Sequence, residues 1–189
     1  MANYQGLVQV DISSFSAFVT ATLGNGYDVD YLFNYQCVDL PKLLAGNAGR
    51  SAPYWRSGTR GYARDGWLDI DSRNYNIGTL FTPVYNKRDV RVGDIIVLDA
   101  TSSNPYGHVA FATTNWNDNT RNAVLLGQNQ VNSSAEFGYP TTMTSVNVST
   151  FLGGFRFKDW NRIEPTNTKY RHGHFKWVLY ARKLRSKNK

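Results

Sequence analysis

From Val92 onward the apolar residues come in short runs rich in β-branched and aromatic side chains. They are "VGDIIVLDA" (92–100), "GHVAFATT" (107–114), "AVLLGQNQ" (123–130), "GGFRFKDW" (153–160) and "FKWVLYARKL" (175–184). Gly, Asn, Asp and Ser interrupt them at intervals that suit strands and not helices. Before them the spacing is helical: Phe15, Phe18, Val19 and Leu23 recur behind the potential caps Asp11, Ser13 and Ser14, until "GNG" stops the pattern. A second helix is expected from near Cys37, with Val38, Leu40, Leu43 and Leu44 on its apolar side. Pro41 then falls in the first turn, where its missing N–H is not needed. Residues 47–90, rich in Gly, Asn, Arg and aromatics, read as loops with one short helix around "YWRSGTRGYARDG". Helices first and strands after predict an α+β fold, with N-terminal helices packed on one side of an antiparallel β-sheet whose first three strands form a meander.

A chain of 189 residues suffices for one domain with a core that needs no disulfide staple. Cys37, the only cysteine, can form no intrachain bridge, and no Cys/His group has zinc spacing. The start "MANYQGLVQVDISSF" has neither a basic segment nor an apolar run, so no signal peptide and no membrane partner are expected. The net charge of +7 suggests a nucleic-acid binder until it is located. Residues 1–168 carry 13 Lys+Arg against 14 Asp+Glu, whereas residues 169–189 carry eight Lys+Arg and no acid. A body of balanced charge argues against a phosphate-tracking groove across the fold, and no nucleic-acid partner is expected. The basic end "YRHGHFKWVLYARKLRSKNK" reads either as a final strand with a solvated tail or as a contact for an anionic partner.

The chemistry centres on Cys37. A lone cysteine is most often a small core residue, but the start of a helix also favours a thiolate and so marks a nucleophile. Of the three histidines, His108 opens a core strand behind Gly107, which fixes its imidazole on a rigid element as a general base requires. His172 and His174 have no obvious third ligand or carboxylate beside them. The far nitrogen of a catalytic imidazole needs an orienting partner. Gln128, Asn129 and Gln130 end the next strand and are within reach of it, with Asn129 the best candidate.

"YQCVDL", "VGDIIVLDA", "YGHVAFATT" and "LLGQNQ", in this order on a helix followed by strands, resemble the CHAP domain over roughly residues 10–160. This is the cysteine-, histidine-dependent amidase/peptidase family of papain-like peptidoglycan hydrolases found in phage lysins and bacterial wall enzymes. The resemblance implies a papain-like CHAP catalytic domain over 1–160 and a basic C-terminal extension over 161–189. It implies that Cys37 attacks an amide carbonyl, that His108 activates it and protonates the leaving amine, and that Asn129 holds the imidazole in its productive tautomer. The backbone N–H of Cys37, with Gln36 beside it, would help form the oxyanion hole. One departure stands out: many CHAP domains carry a glutamate two residues before that asparagine, and here the position is Gly127.

The aspartates before the cysteine have their own pattern. Counting Asp28 as position 1, Asp30 is 3, Leu32 is 5, Asn34 is 7 and Asp39 is 12, the ligand spacing of an EF-hand loop. Phe33 replaces the usual glycine at position 6, and position 12 is Asp instead of Glu. Three carboxylates gathered together call for a hard cation, and Ca²⁺ suits carboxylate, amide and carbonyl oxygens. The resemblance adds that some phage CHAP lysins hold calcium in such a loop. The plainer reading is a polar turn whose aspartates cap the helix.

Tyr54, Trp55, Tyr62, Trp67 and Trp116 are candidates to line a substrate groove or to pack under long loops. The functional expectation is a cysteine peptidoglycan hydrolase, an amidase or endopeptidase acting on Gram-positive cell wall, with calcium as cofactor. The single-domain length favours a phage virion or tail location over a released endolysin carrying a wall-binding module, with a compact endolysin released to act on the extracellular cell wall as the alternative. Bacterial peptidoglycan is the expected partner, with phage tail proteins or anionic wall polymers meeting the basic end. The alternative is a catalytically weak CHAP-like structural or wall-binding component of a phage tail.

Overall fold

Ser14 starts the first helix. Extended at φ −153°, ψ 164°, it accepts the Ala17 N–H through Oγ at 3.1 Å, which supplies one of the partners a helix N-terminus lacks. The computed structural model describes residues 2–49, 62–68, 80–130, 138 and 140–162. The chain begins with β1 (Asn3–Gln5), α1 (Phe15–Thr22), β2 (Gly26–Asp28) and α2 (Asp39–Asn47). After α3 (Asp65–Leu68) come β3 (Phe81–Val84), β4 (Ile95–Leu98), β5 (His108–Ala112), β6 (Asn122–Gly127), β7 (Thr142–Asn147) and β8 (Phe151–Phe157). Strands β1 and β2 pair in parallel as a small ribbon. The other six form one sheet in the order β3-β8-β4-β5-β6-β7, antiparallel at every neighbouring pair. The fold is thus α+β with an antiparallel sheet, and β4 to β7 form the meander.

Both faces of the central strands are buried, which explains the unbroken "IIVL" of β4. Ile95, Val97, Val109, Phe111, Leu126 and Phe155 face a core shared with Phe18 and Val19 of α1 and Leu40, Leu43 and Leu44 of α2. Ile96, Leu98, Ala110, Ala112 and Leu125 face the other way, onto Trp116 and Val148 from the connecting loops and Phe151 at the start of β8. Among the described residues, helices cover the first of these faces and loops the second. Pro41 is the third residue of α2, inside the first turn, as its missing N–H demands.

Four strands were not legible in the sequence: the three-residue β1 and β2 of the small ribbon, and β3 and β7 at the two edges of the six-stranded sheet. β3 falls in a stretch read as loop; its Pro83 cannot donate to a ladder, which an edge position tolerates. β7, "TMTSVN", is half-exposed and mostly polar, so it lacks the apolar run that marks a central strand. The expected strand at 175–184, the extension at 161–189 beyond Arg162, and Tyr54 and Trp55 lie outside the described residues. The short helix expected around "YWRSGTRGYARDG" appears among the described residues only as α3, at the end of that stretch. Among the described residues no helix is long and apolar enough to cross a membrane.

Candidate active site

Cys37 lies just before α2, with Val38 at the helix N-cap. Its thiol is half-buried and packs against the core on the helix side of the sheet. Burial pushes the thiol up to about 11, and the Asp39 carboxylate adds to the rise, while the Val109 backbone N–H and the Lys42 ammonium oppose it. That contact with Val109 is structurally informative, because Val109 follows His108 in β5. The start of α2 and the start of β5 therefore meet. The thiol and the imidazole are not hydrogen-bonded to each other; Val109 is their shared neighbour.

Gly107 makes the approach of β5 possible. It adopts φ +73°, and a Cβ there would stand 2.5 Å from the Leu98 carbonyl oxygen of β4, so only glycine fits. His108 then meets Gln130, Nε2 to Oε1, at 3.3 Å. Burial lowers the imidazole below its usual value and the Gln130 bond works against that shift. At neutral pH the pair is a neutral thiol and a neutral imidazole.

The three polar residues that end β6 divide the work differently from the sequence expectation. Asn129 does not hold His108: it donates from Nδ2 to Gln36 Oε1 at 3.0 Å, and Gln130 takes the imidazole. The cause is local. β6 ends at Gly127, and Asn129 adopts φ +53°, a left-handed turn that asparagine tolerates better than most residues. Gln128 is fully buried and imitates a strand partner for Tyr27, accepting its N–H at 2.7 Å and donating to its C=O at 2.9 Å. Gln128 Nε2 also donates to the Gln36 carbonyl at 3.0 Å, so β6 holds the residue before the cysteine through both backbone and side chain. Gln36 further donates from Nε2 to the Phe33 carbonyl. Gln128→Leu, which keeps the volume but strands the two buried backbone groups of Tyr27 and the part-buried Gln36 carbonyl, should lower unfolding free energy by about 2–4 kcal/mol. Urea denaturation checks this.

Asp28, Asp30 and Asp39 do converge: one carboxylate oxygen from each lies within 4.8 Å of the others. Leu32 and Asn34 belong to the turn between them. Tyr31, Phe33 and Asn34 all adopt left-handed φ near +60°, at a cost of roughly 1–2 kcal/mol for each of Tyr31 and Phe33. The turn is clasped by Asp39, whose two oxygens accept the Val29 N–H at 3.1 Å and the Gln36 N–H at 2.8 Å. Asp30 accepts the Leu32 N–H and pairs with the buried Lys42 ammonium. Burial raises Asp39 to about 7, against the Lys42 charge and the two backbone donors. Asp28 is also raised, first by burial and then by Asp30. It is 3% exposed, and its Oδ1 has no hydrogen-bond partner. A donor set of three carboxylates with a buried, unpartnered oxygen fits a hard cation, which the single charge of Lys42 only partly replaces.

Among solved structures the chain is similar to the wild-type endolysin LysIME-EF1, with 22% identity and a TM-score of 0.57 over 79% of this chain. It spans 64% of that endolysin's length. It is also similar to Ly7917, solved with the hydrolysing product of MDP, at 16% identity and a TM-score of 0.44, covering 65% of this chain and 53% of Ly7917. The first likeness supports the fold. No curated protein sequence matches the chain significantly. The family model of the CHAP domain matches residues 24–129, a stretch that runs from the turn before β2, through the carboxylate cluster, Cys37 and His108, to Asn129. Covering more than half of the sequence, that match places the chain in the CHAP domain family.

Proposed function

We propose that this chain is a cysteine peptidoglycan hydrolase that cleaves an amide bond of bacterial cell wall, with calcium supporting its active-site loop. The observation that carries the reading is the meeting of the Cys37 thiol with β5 at the residue after His108, beside Gln36, within a CHAP domain. In this reading His108 accepts the thiol proton as Cys37 Sγ bonds to the amide carbon. The resulting oxyanion is met by the Cys37 N–H and the Gln36 side chain. His108 then gives its proton to the leaving amine, and a thioester remains on Cys37. Water, deprotonated by His108, releases the acid and restores the thiol. Nucleophile and base need reach hydrogen-bond distance only with substrate bound, as often happens at such sites.

Asp28, Asp30 and Asp39 would hold calcium, with Leu32 and Asn34 adding backbone or amide oxygen. A bound Ca²⁺ would neutralise the carboxylates and stiffen the turn that leads into Cys37. Amidase and endopeptidase action both follow the same steps; which bond is cut is read from the released fragments. Residues 169–189, with their eight basic side chains, would dock to phage tail proteins or anionic wall polymers, placing the enzyme on a virion. Turbidity loss of purified Gram-positive walls tests the hydrolase, and wall binding without loss would favour a structural role.

The pH dependence has a definite sign. His108 must be neutral to accept a proton, and burial holds it below 6.5. The acid limb of kcat/KM on a soluble wall peptide is therefore expected below pH 6.5. The same shift makes the unfolded chain bind the proton more tightly, so this contribution to stability is full above 6.5 and is lost as pH falls through the folded value. An acid limb above pH 6.5 would contradict the assignment of His108.

A further inference from the structure

The amide of Gln130 is locked more tightly than an orienting contact alone would need. The two N–H bonds of its Nε2 are shared among three surrounding backbone carbonyls, those of Leu125 at 3.1 Å, Gly127 at 3.2 Å and Thr142 at 3.0 Å. Three acceptors around one nitrogen leave no freedom to exchange the amide ends, so the oxygen must face the imidazole. An oxygen facing His108 Nε2 at 3.3 Å can only accept, which puts the proton on Nε2 and leaves the lone pair on Nδ1. Gly127 makes room for this arrangement. A Cβ at 127 would lie 2.8 Å from Gln130 Cδ, 3.0 Å from Gln130 Oε1 and 3.0 Å from Ala110 Cβ. The Gln130 side chain thus fills the space that a side chain rooted at 127 would otherwise enter.

We infer that Gln130, folded back over Gly127, is the positioning residue that fixes His108 as its Nε2–H tautomer, so that a neutral amide does the orienting work for the base. The assignment rests on the hydrolase reading only for its effect on turnover; the tautomer belongs to the structure itself. Two consequences separate it from simple strand packing. Glycine at 127 and glutamine at 130 form one unit, so Gly127→Glu should be harmful alone. In a Gln130→Ala background the same substitution should be better tolerated, because the Gln130 atoms are then gone and only the close approach to Ala110 Cβ remains. The carboxylate it brings would favour the imidazolium and move the acid limb upward.

The test is histidine ¹⁵N NMR on the full chain, with His172→Gln and His174→Gln used to assign His108, alongside kinetics on solubilised wall fragments. The wild type should show His108 as the Nε2–H tautomer at pH 7.5. Gln130→Ala should populate both tautomers and lower kcat by about 10- to 100-fold with KM little changed, the usual range for acid–base assistance. Gln130→Ala/Gly127→Glu should regain part of kcat with an acid limb at higher pH. An Nδ1–H tautomer in the wild type, or an unaltered tautomer in Gln130→Ala, would overturn the inference. So would Gly127→Glu behaving alike in both backgrounds. If the wild type cleaves no wall at all, the hydrolase reading falls, while the NMR spectra still decide the role of Gln130.

Discussion

Cys37→Ala should abolish wall hydrolysis, with turnover falling on the order of 10⁴-fold or more, as happens when a nucleophile that works as a unit with its base is removed. The fold should survive. The thiol is half-buried at the helix start and not at the centre of the core, so its loss should cost no more than about 1 kcal/mol, at the low end for large-to-small changes. Circular dichroism melting of the variant beside the wild type separates the two effects. Retention of wall binding together with loss of turnover is the expected pattern. Full turnover in the variant would remove the nucleophile assignment, and with it the chemistry assigned to His108.

Calcium should be the second large lever. The three aspartates bring one carboxylate oxygen each to within 4.8 Å of one another, and the single charge of Lys42 forms its ion pair with Asp30. A ligand that binds only the folded chain stabilises it by about 2.7 kcal/mol at one hundred times its dissociation constant. For a chain of this size that corresponds to a rise in Tm of roughly 5–10 °C over chelator. Asp28→Asn is the cleanest probe: the substitution is isosteric, and the Oδ1 that has no partner in the protein is the oxygen a cation would take up. The variant should melt at nearly the same temperature with calcium and with chelator, and its activity should no longer respond to calcium. Identical melting of the wild type in calcium and in chelator would refute the metal role. The three aspartates would then remain as the framework of a strained turn.

The sequence made the elements that carry the chemistry legible and hid the contacts between them. Ser14, Pro41 and the apolar spacing of α1 and α2 act through neighbours a few residues away, and the alternating faces of β4 and β5 are imposed by a core on both sides. Such features survive in a linear reading because their causes are local. Gln130 could not be singled out in that way. Its role depends on the left-handed turn at Asn129, the missing side chain at Gly127 and the carbonyl of Thr142 on the next strand. Strand alternation alone gave no reason to prefer Gln130 over Asn129. The signal lay in Gly127, whose lack of a side chain implies that something else fills that space. Gln128 was hidden for a similar reason, since its partner Tyr27 is 101 residues away. The edges β3 and β7 show the limit of periodicity itself: β3 is four residues interrupted by Pro83, and β7 is mostly polar because an edge strand buries too little to need an apolar run.

Mass analysis of the fragments released from purified Gram-positive walls, by the wild type and by Cys37→Ala in excess calcium, tests the central claim most directly. The expected result is a set of soluble fragments in which each hydrolysed amide accounts for one new carboxyl end and one new amine, produced by the wild type and missing from the Cys37→Ala digest. The identity of those ends names the bond. Fragments of the same masses from both proteins, or cleavage at glycosidic bonds in place of amides, would contradict the account.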